Sequence, residues 1–154
     1  MNVEVTTEDA PDRVERRSVV VQAPASDLFD LLADPSRHHE IDGSGTVRDA
    51  KSSAPSRLSL GSTFGMNMKW FVPYSMTNEV VEFVDNEKIA WRHMGGHVWR
   101  YTLEPLDDQR CRVTEEFDWR PSRAPIVLKL MGSPSDNATA IEKTLVRLAE
   151  RFSA

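Results

Sequence analysis

The chemistry available to this chain is concentrated in three titratable side chains, His93, His97 and Glu115. All three lie in the aromatic-rich stretch 87–121, EKIAWRHMGGHVWRYTLEPLDDQRCRVTEEFDWRP. Glu115 alternates with Val113 and Phe117 along an apolar-facing run. An ionised carboxylate in that position is costly unless paired. It anchors a ligand hydroxyl or amine, or its pKa rises and it serves as an acid or base. A glutamate at the mouth of the sheet, or one bridged to His93, His97 or an arginine, fits the pattern without any function. His93 and His97 flank Gly95-Gly96 and so belong at one end of the strands. Neutral imidazoles there bind a polar group of a ligand or relay a proton; the alternative is a surface position beside the loop. The catalytic candidates are therefore Glu115 and His93. No third ligand accompanies the histidines, so no metal site is expected. In the run HHEID, 38–42, adjacent histidines point in different directions ahead of Gly43 and Gly45, and a solvated loop is expected.

Three antiparallel strands must position these groups. Ile89, Trp91 and His93 alternate with polar or small residues, as do His97, Trp99, Tyr101 and Leu103, and then Cys111, Val113, Glu115, Phe117 and Trp119. Period-two alternation buries one face of each strand. A three-residue loop, Met94-Gly95-Gly96, pairs His93 with His97, Trp91 with Trp99 and Ile89 with Tyr101, which gathers the apolar residues on one face. Such a face, bulky and apolar yet carrying polar groups, is either a packed core or the wall of a ligand cavity. Trp70, Trp91, Trp99, Tyr101, Phe117 and Trp119 would stack on a flat ligand, and Met66, Met68 and Met131 would supply adaptable lining.

The rest of the chain supplies a scaffold. Val14–Gln22 reads as a first strand, and a helix capped by Ser26 follows to about Ala33, ended by Asp34-Pro35. Short helical structure over Ser36–Glu40 and strands over Thr46–Lys51, Gly61–Val72 and Ser75–Val84 come next; Phe64, Met66, Met68 and Trp70 share one face. Ile126–Met131 is a short apolar segment. Gly132-Ser133-Pro134 opens a helix to about Phe152, with Ser133 as cap. Its stripe includes Ala138, Ile141, Leu145 and Leu148, and Asn137, one turn before Ile141, presents its amide either to a cavity or to solvent.

A chain of 154 residues with 40% hydrophobic content suits one globular domain, here 14–154 behind a flexible, acidic tail at 1–13. A net charge of −5 with no basic run makes nucleic acid and anionic membrane surfaces poor partners. A lone cysteine, Cys111, permits no internal disulfide, and no apolar run reaches the roughly 18 residues of a membrane span, so a soluble, cytoplasmic protein is expected. Phosphate-loop, nucleophile-elbow and zinc spacings are absent from the sequence.

The segments APASDLFDLLADPSRH, KIAWRH…VWRYTLEPLD…CRVTEEFDW and AIEKTLVRLAERF resemble the START-like (SRPBCC) superfamily over about 14–152. That resemblance implies an α+β helix-grip fold: a curved antiparallel sheet of about seven strands wrapped around a long C-terminal helix, with two short helices after the first strand. It also implies a hydrophobic small-molecule ligand, lipid-like or polyketide-like, held between sheet and helix. Glu115, His93 and Tyr101 are the polar groups best placed to orient that ligand, and Phe64 and Ile141 join its lining. No cofactor is implied. A polyketide aromatase or cyclase and a protein-interaction module with a collapsed cavity are the alternatives, and monomer and homodimer both remain open.

Overall fold

The structure, a computed structural model, describes residues 3–43, 47–50, 55–69 and 73–153, with the backbone alone for 47–50, 66–69 and 73–76. Among the described residues eight strands form one antiparallel sheet. They are β1 (Thr6–Thr7), β2 (Val14–Val21), β3 (Val47–Ala50), β4 (Thr63–Lys69), β5 (Pro73–Val84), β6 (Lys88–His93), β7 (Val98–Asp107) and β8 (Arg110–Asp118). Their spatial order is β1-β2-β8-β7-β6-β5-β4-β3. The strands from β2 onward correspond to those the sequence predicts. β1 is an addition from the stretch read as a tail. It sets Thr6 opposite Ser18 and Thr7 opposite Arg17, and the Ser18 hydroxyl donates to Glu8 at 2.6 Å.

The β6–β7 hairpin has the expected register. The His93 N–H donates to the His97 carbonyl at 2.8 Å, and Trp91 faces Trp99 as Ile89 faces Tyr101. Gly96 makes this turn possible twice over. Its φ is 99°, and a methyl group there would lie 2.6 Å from the Pro121 carbonyl oxygen. Register shifts between Val80 and Glu82 on β5, and between Pro105 and Asp107 on β7, mark bulges of the kind that bend and twist a sheet.

Helix α1 (Ala25–Leu32) buries Leu28, Phe29, Leu31 and Leu32, and a 3-10 turn follows over Pro35–Glu40. The Asp34 carboxylate caps that turn by accepting from the Ser36 N–H at 3.0 Å. After β8 come the short helix α2 (Pro125–Leu130) and the long α3 (Ser133–Arg151). Ile141, Leu145, Leu148 and Ala149 of α3 are buried against β2 and β8. Each such large side chain contributes about 1.5–3 kcal/mol on burial, so the stripe holds α3 on the sheet.

Two expected caps differ. Pro24, not Ser26, occupies the N-cap of α1, and left-handed Gly132 (φ 75°) that of α3. Ser133 is already helical there, and its hydroxyl accepts from the Asn137 amide at 3.1 Å.

Candidate functional site

The two faces of β8 treat their carboxylates in opposite ways. On the outer face Glu116 and Asp118 are buried beneath arginines. Arg16 lies 2.7 Å from Glu116, Arg120 lies 2.8 Å from Asp118, and Arg100 reaches both acids and Glu82. Burial pushes the Asp118 carboxyl up, yet the hydrogen bonds from Arg120 outweigh it and hold the pKa below the ordinary range.

On the inner face Glu115 has no such ion-pair partner among the described residues. It is 2% exposed, and among the described residues its Oε1 accepts and donates no hydrogen bond. Its cross-strand neighbours are Tyr101 on β7, whose phenol is turned towards it, and Arg17 on β2, whose guanidinium pairs instead with Glu142 of α3 at 3.1 Å. Burial lifts the Glu115 carboxyl well above its usual range, the Tyr101 bond opposes that rise, and the charge of Asp42 adds to it. Burial likewise drives the Tyr101 hydroxyl well above 10, helped by Glu115. An uncharged acid beside an uncharged phenol is the stable arrangement in such surroundings.

Around this pair stands an aromatic wall. Trp91 lies 5.7 Å from Tyr101, ring to ring, and Phe64 meets Trp91 edge-on at 5.6 Å. The other side of Trp91 is stacked on His38, centroids 4.9 Å apart and planes 20° from parallel. Towards the hairpin, Trp99 and His97 pack on Phe117 at 4.9 and 5.2 Å, and His97 stacks on His93 at 4.4 Å. Trp91, His93, His97 and Trp99 are only half-buried, so this end of the inner face stays partly open. Burial, reinforced by the facing His93, pushes His97 down to about 4; burial also lowers His93. Both imidazoles are therefore neutral at pH 7, and Nδ1 of His93 accepts from the Gly95 N–H at 3.2 Å.

His38 is the residue that sequence reasoning missed. The HHEID segment is not a solvated loop: His38 is buried, its Nε2 lies 2.8 Å from the Leu32 carbonyl oxygen, and burial lowers its pKa. The cause lies in the contact of the segment's end with α3. A methyl group on Gly43 would lie 2.5 Å from the Ala140 oxygen and from the Thr144 nitrogen, so only glycine fits. The Gly43 N–H donates to the Thr144 hydroxyl at 2.8 Å, and Arg151 pairs with Glu40 at 2.9 Å. Strapped this closely, the turn rolls His38 onto Trp91. Gly43 was the legible signal.

Other expected lining residues fall as follows. Ile141 is fully buried beneath the sheet, and Phe64 and Phe117 are buried in the wall. Trp119 is buried at its end with the Arg13 guanidinium 5.6 Å above the ring, and its indole N–H lacks a partner among the described residues. Met131 does not belong to the lining. It is 67% exposed at the end of α2, whose Ile126, Val127 and Leu130 also face out. The Asn137 amide is committed to Ser133. Met66 and Met68 follow Phe64 in alternation along β4, where the backbone alone is described, and Trp70 lies outside the described residues.

Two surface clefts are lined by described residues; the smaller, about 470 Å³, reaches Trp119 at the end of the wall between Arg13 and Ile126. The larger, about 900 Å³, runs along β1 and β2 and is lined largely by polar and charged side chains including Glu4, Glu8, Asp9 and Arg16. It lacks the apolar floor a hydrophobic ligand needs. Burial pushes the Cys111 thiol up to about 11, which removes it as a nucleophile at neutral pH. Among the described residues no three His, Cys, Asp or Glu side chains converge to hold a metal, and no helix is long and apolar enough to cross a membrane.

A curved antiparallel sheet closed over a long C-terminal helix defines a helix-grip protein of the START-like class. The chain belongs to the family of polyketide cyclases, dehydrases and lipid-transport proteins, whose pattern matches residues 13–153. An uncharacterised Mycobacterium tuberculosis protein, Rv0088, is 43% identical over 96% of this chain and 68% of its own length. Among solved structures, a Rhodobacter sphaeroides protein superposes with a TM-score of 0.72 at 12% identity, covering 96% of this chain and 97% of that one. A polyketide-cyclase-like protein of Corynebacterium glutamicum gives 0.58 at 18% identity, covering 90% of each chain. At these identities the structural likeness establishes the fold alone.

Proposed function

We propose that residues 14–154 act as one domain that binds a hydrophobic small molecule, lipid-like or polyketide-like, between the inner sheet face and α3. The observation that carries this reading is the inner face of β6–β8. It is a half-buried aromatic wall at one end and a buried, incompletely bonded Glu115–Tyr101 pair further in. Apolar walls desolvate a ligand, and a few polar groups orient it. Titration with ethylnaphthalene, a flat hydrocarbon, followed by tryptophan fluorescence, tests it: saturable one-to-one quenching is expected, and a linear, unsaturable response contradicts it.

A cyclase or dehydratase is the second reading, favoured by one observation: Glu115 is a buried acid whose neutral form is stabilised. Such a group transfers a proton to substrate as a general acid. Glu115→Gln would then lower turnover far more than substrate affinity, and equal turnover would remove Glu115 from any mechanism.

A further inference from the structure

Helices α1 and α3 bury their apolar stripes, whereas α2 turns its own to solvent. Ile126, Val127, Leu130 and Met131 are all exposed, Leu130 by 82%, while Leu128 packs on the core. Spaced i, i+1, i+4 and i+5, the four share one side of a helix with about 3.6 residues per turn. The tip of the β6–β7 hairpin lies against the chain that enters α2. There the Arg123 N–H donates to the Gly95 carbonyl at 3.1 Å, and Met94 beside it is exposed as well. A single exposed apolar residue is ordinary, but a group of this size marks a surface that meets something other than water.

The charges on the rim of this face narrow what covers it. Its cations are Arg13, Arg123 and Lys129, all exposed; its acids are Asp12 and Glu15 across the Trp119 cleft and Asp136 beside Gly132. Arg120 is engaged by Asp118. Three cations against three acids leave the rim near neutral, in a chain whose net charge is −5. We propose that this face docks on the head-group layer of a zwitterionic phospholipid bilayer. The α2 side chains enter the boundary between head groups and acyl chains, and Arg123 and Lys129, on flexible stems, reach the lipid phosphates. A strongly anionic surface does not suit it, because the rim offers no net positive charge and the chain as a whole is repelled. A protein partner fits less well. The patch offers on the order of a few hundred Å², short of the roughly 800 Å² that each side of a specific protein interface buries. Lipid sets no such threshold, since each apolar group contributes as it leaves water. Docking in this way uses exposed groups alone and stands whether or not the interior encloses a ligand. It brings the hairpin end of the aromatic wall, where His93 and His97 are half-buried, to the bilayer.

Flotation of the full chain with phosphatidylcholine vesicles tests this. The protein should float with the vesicles reversibly and in proportion to lipid until all of it is bound, and phosphatidylglycerol vesicles should bind it no more tightly. Leu130→Ser should weaken binding about tenfold, and the double variant Ile126→Ser, Leu130→Ser should abolish it. Met131→Ser is a second single variant with the same expected effect, and circular dichroism checks that each variant is folded. Leu60→Ser alters an exposed leucine ahead of β4, outside the patch, and should leave flotation unchanged. No flotation up to millimolar lipid, equal flotation of Leu130→Ser and wild type, or tighter binding to phosphatidylglycerol would overturn the proposal. So would a dimer in sedimentation equilibrium that Leu130→Ser dissociates, because the face would then be a contact between copies of this chain. None of these readouts involves ethylnaphthalene, so the enclosed-ligand reading stands or falls separately.

Discussion

Replacing Glu115 by glutamine should stabilise the protein by an amount that grows with pH. In the unfolded chain this carboxyl ionises near 4.5, whereas in the fold burial holds it neutral well above that value. Above pH 4.5 the unfolded state therefore releases a proton that the folded state keeps, and wild-type stability falls as pH rises. The slope is about 1.4 kcal/mol per pH unit for as long as the folded group stays neutral. Glutamine has nothing to ionise and escapes this loss. Its amide leaves a buried donor unsatisfied at a cost of about 1–3 kcal/mol, but that offset does not depend on pH. The difference between variant and wild type is the quantity to follow, because the histidines contribute equally to both proteins. Tyr101 is silent below pH 10, where its hydroxyl is neutral in both states. Urea denaturation at half-unit intervals from pH 5 to pH 8 measures the difference. It should widen at about the stated slope and level off at the folded-state pKa of Glu115. A difference that is flat across the range would mean Glu115 ionises normally in the fold, and the account of the inner face would collapse.

Three further outcomes are expected. His97 binds a proton in the unfolded chain below about 6.5 and in the fold only near 4, so stability present above pH 6.5 is lost as pH falls towards 4. His97→Asn should make that acid limb shallower, as read by thermal melts between pH 4 and pH 7, and an unchanged limb would assign the loss to other groups. Gly43→Ala places a methyl group 2.5 Å from two backbone atoms of α3. It should cost about 3 kcal/mol or more, a fall in Tm on the order of 10 °C by scanning calorimetry; a neutral substitution would show that the loop lifts freely from the helix. Trp99→Ala removes a half-buried ring packed on Phe117, and ethylnaphthalene affinity should drop about tenfold with the circular dichroism of the fold retained. Unaltered affinity would make Trp99 ordinary packing.

How much was legible in the sequence differs between the sheet and the site. Strict alternation in β6–β8 and the glycine pair at 95–96 are local signals, so they fixed the hairpin register and the inward direction of Trp91, Tyr101, Glu115 and Phe117. The class of fold was also readable, because the order of strand, short helices, run of strands and long striped helix carries the START-like resemblance that implies it. His38 was not, since its burial depends on Gly43 meeting Ala140 and Thr144, residues about a hundred positions away in the chain. Met131 misled because an apolar residue beside an amphipathic helix suggests lining, whereas the end of α2 turns it to solvent. The helix caps failed for a similar reason: Pro24 and left-handed Gly132 fit the incoming chain, and this outweighed the local preference of Ser26 and Ser133. Alternation also predicted that Glu116 and Asp118 oppose Glu115, but not that Arg16, Arg100 and Arg120 would cover them.

The most direct test of an enclosed hydrophobic ligand is native mass spectrometry of the protein purified from its own host, compared with the denatured spectrum. A discrete additional mass present only in the native spectrum, and displaced by ethylnaphthalene, is the predicted result. A native spectrum of the bare chain, combined with no saturable uptake of ethylnaphthalene, would contradict the account.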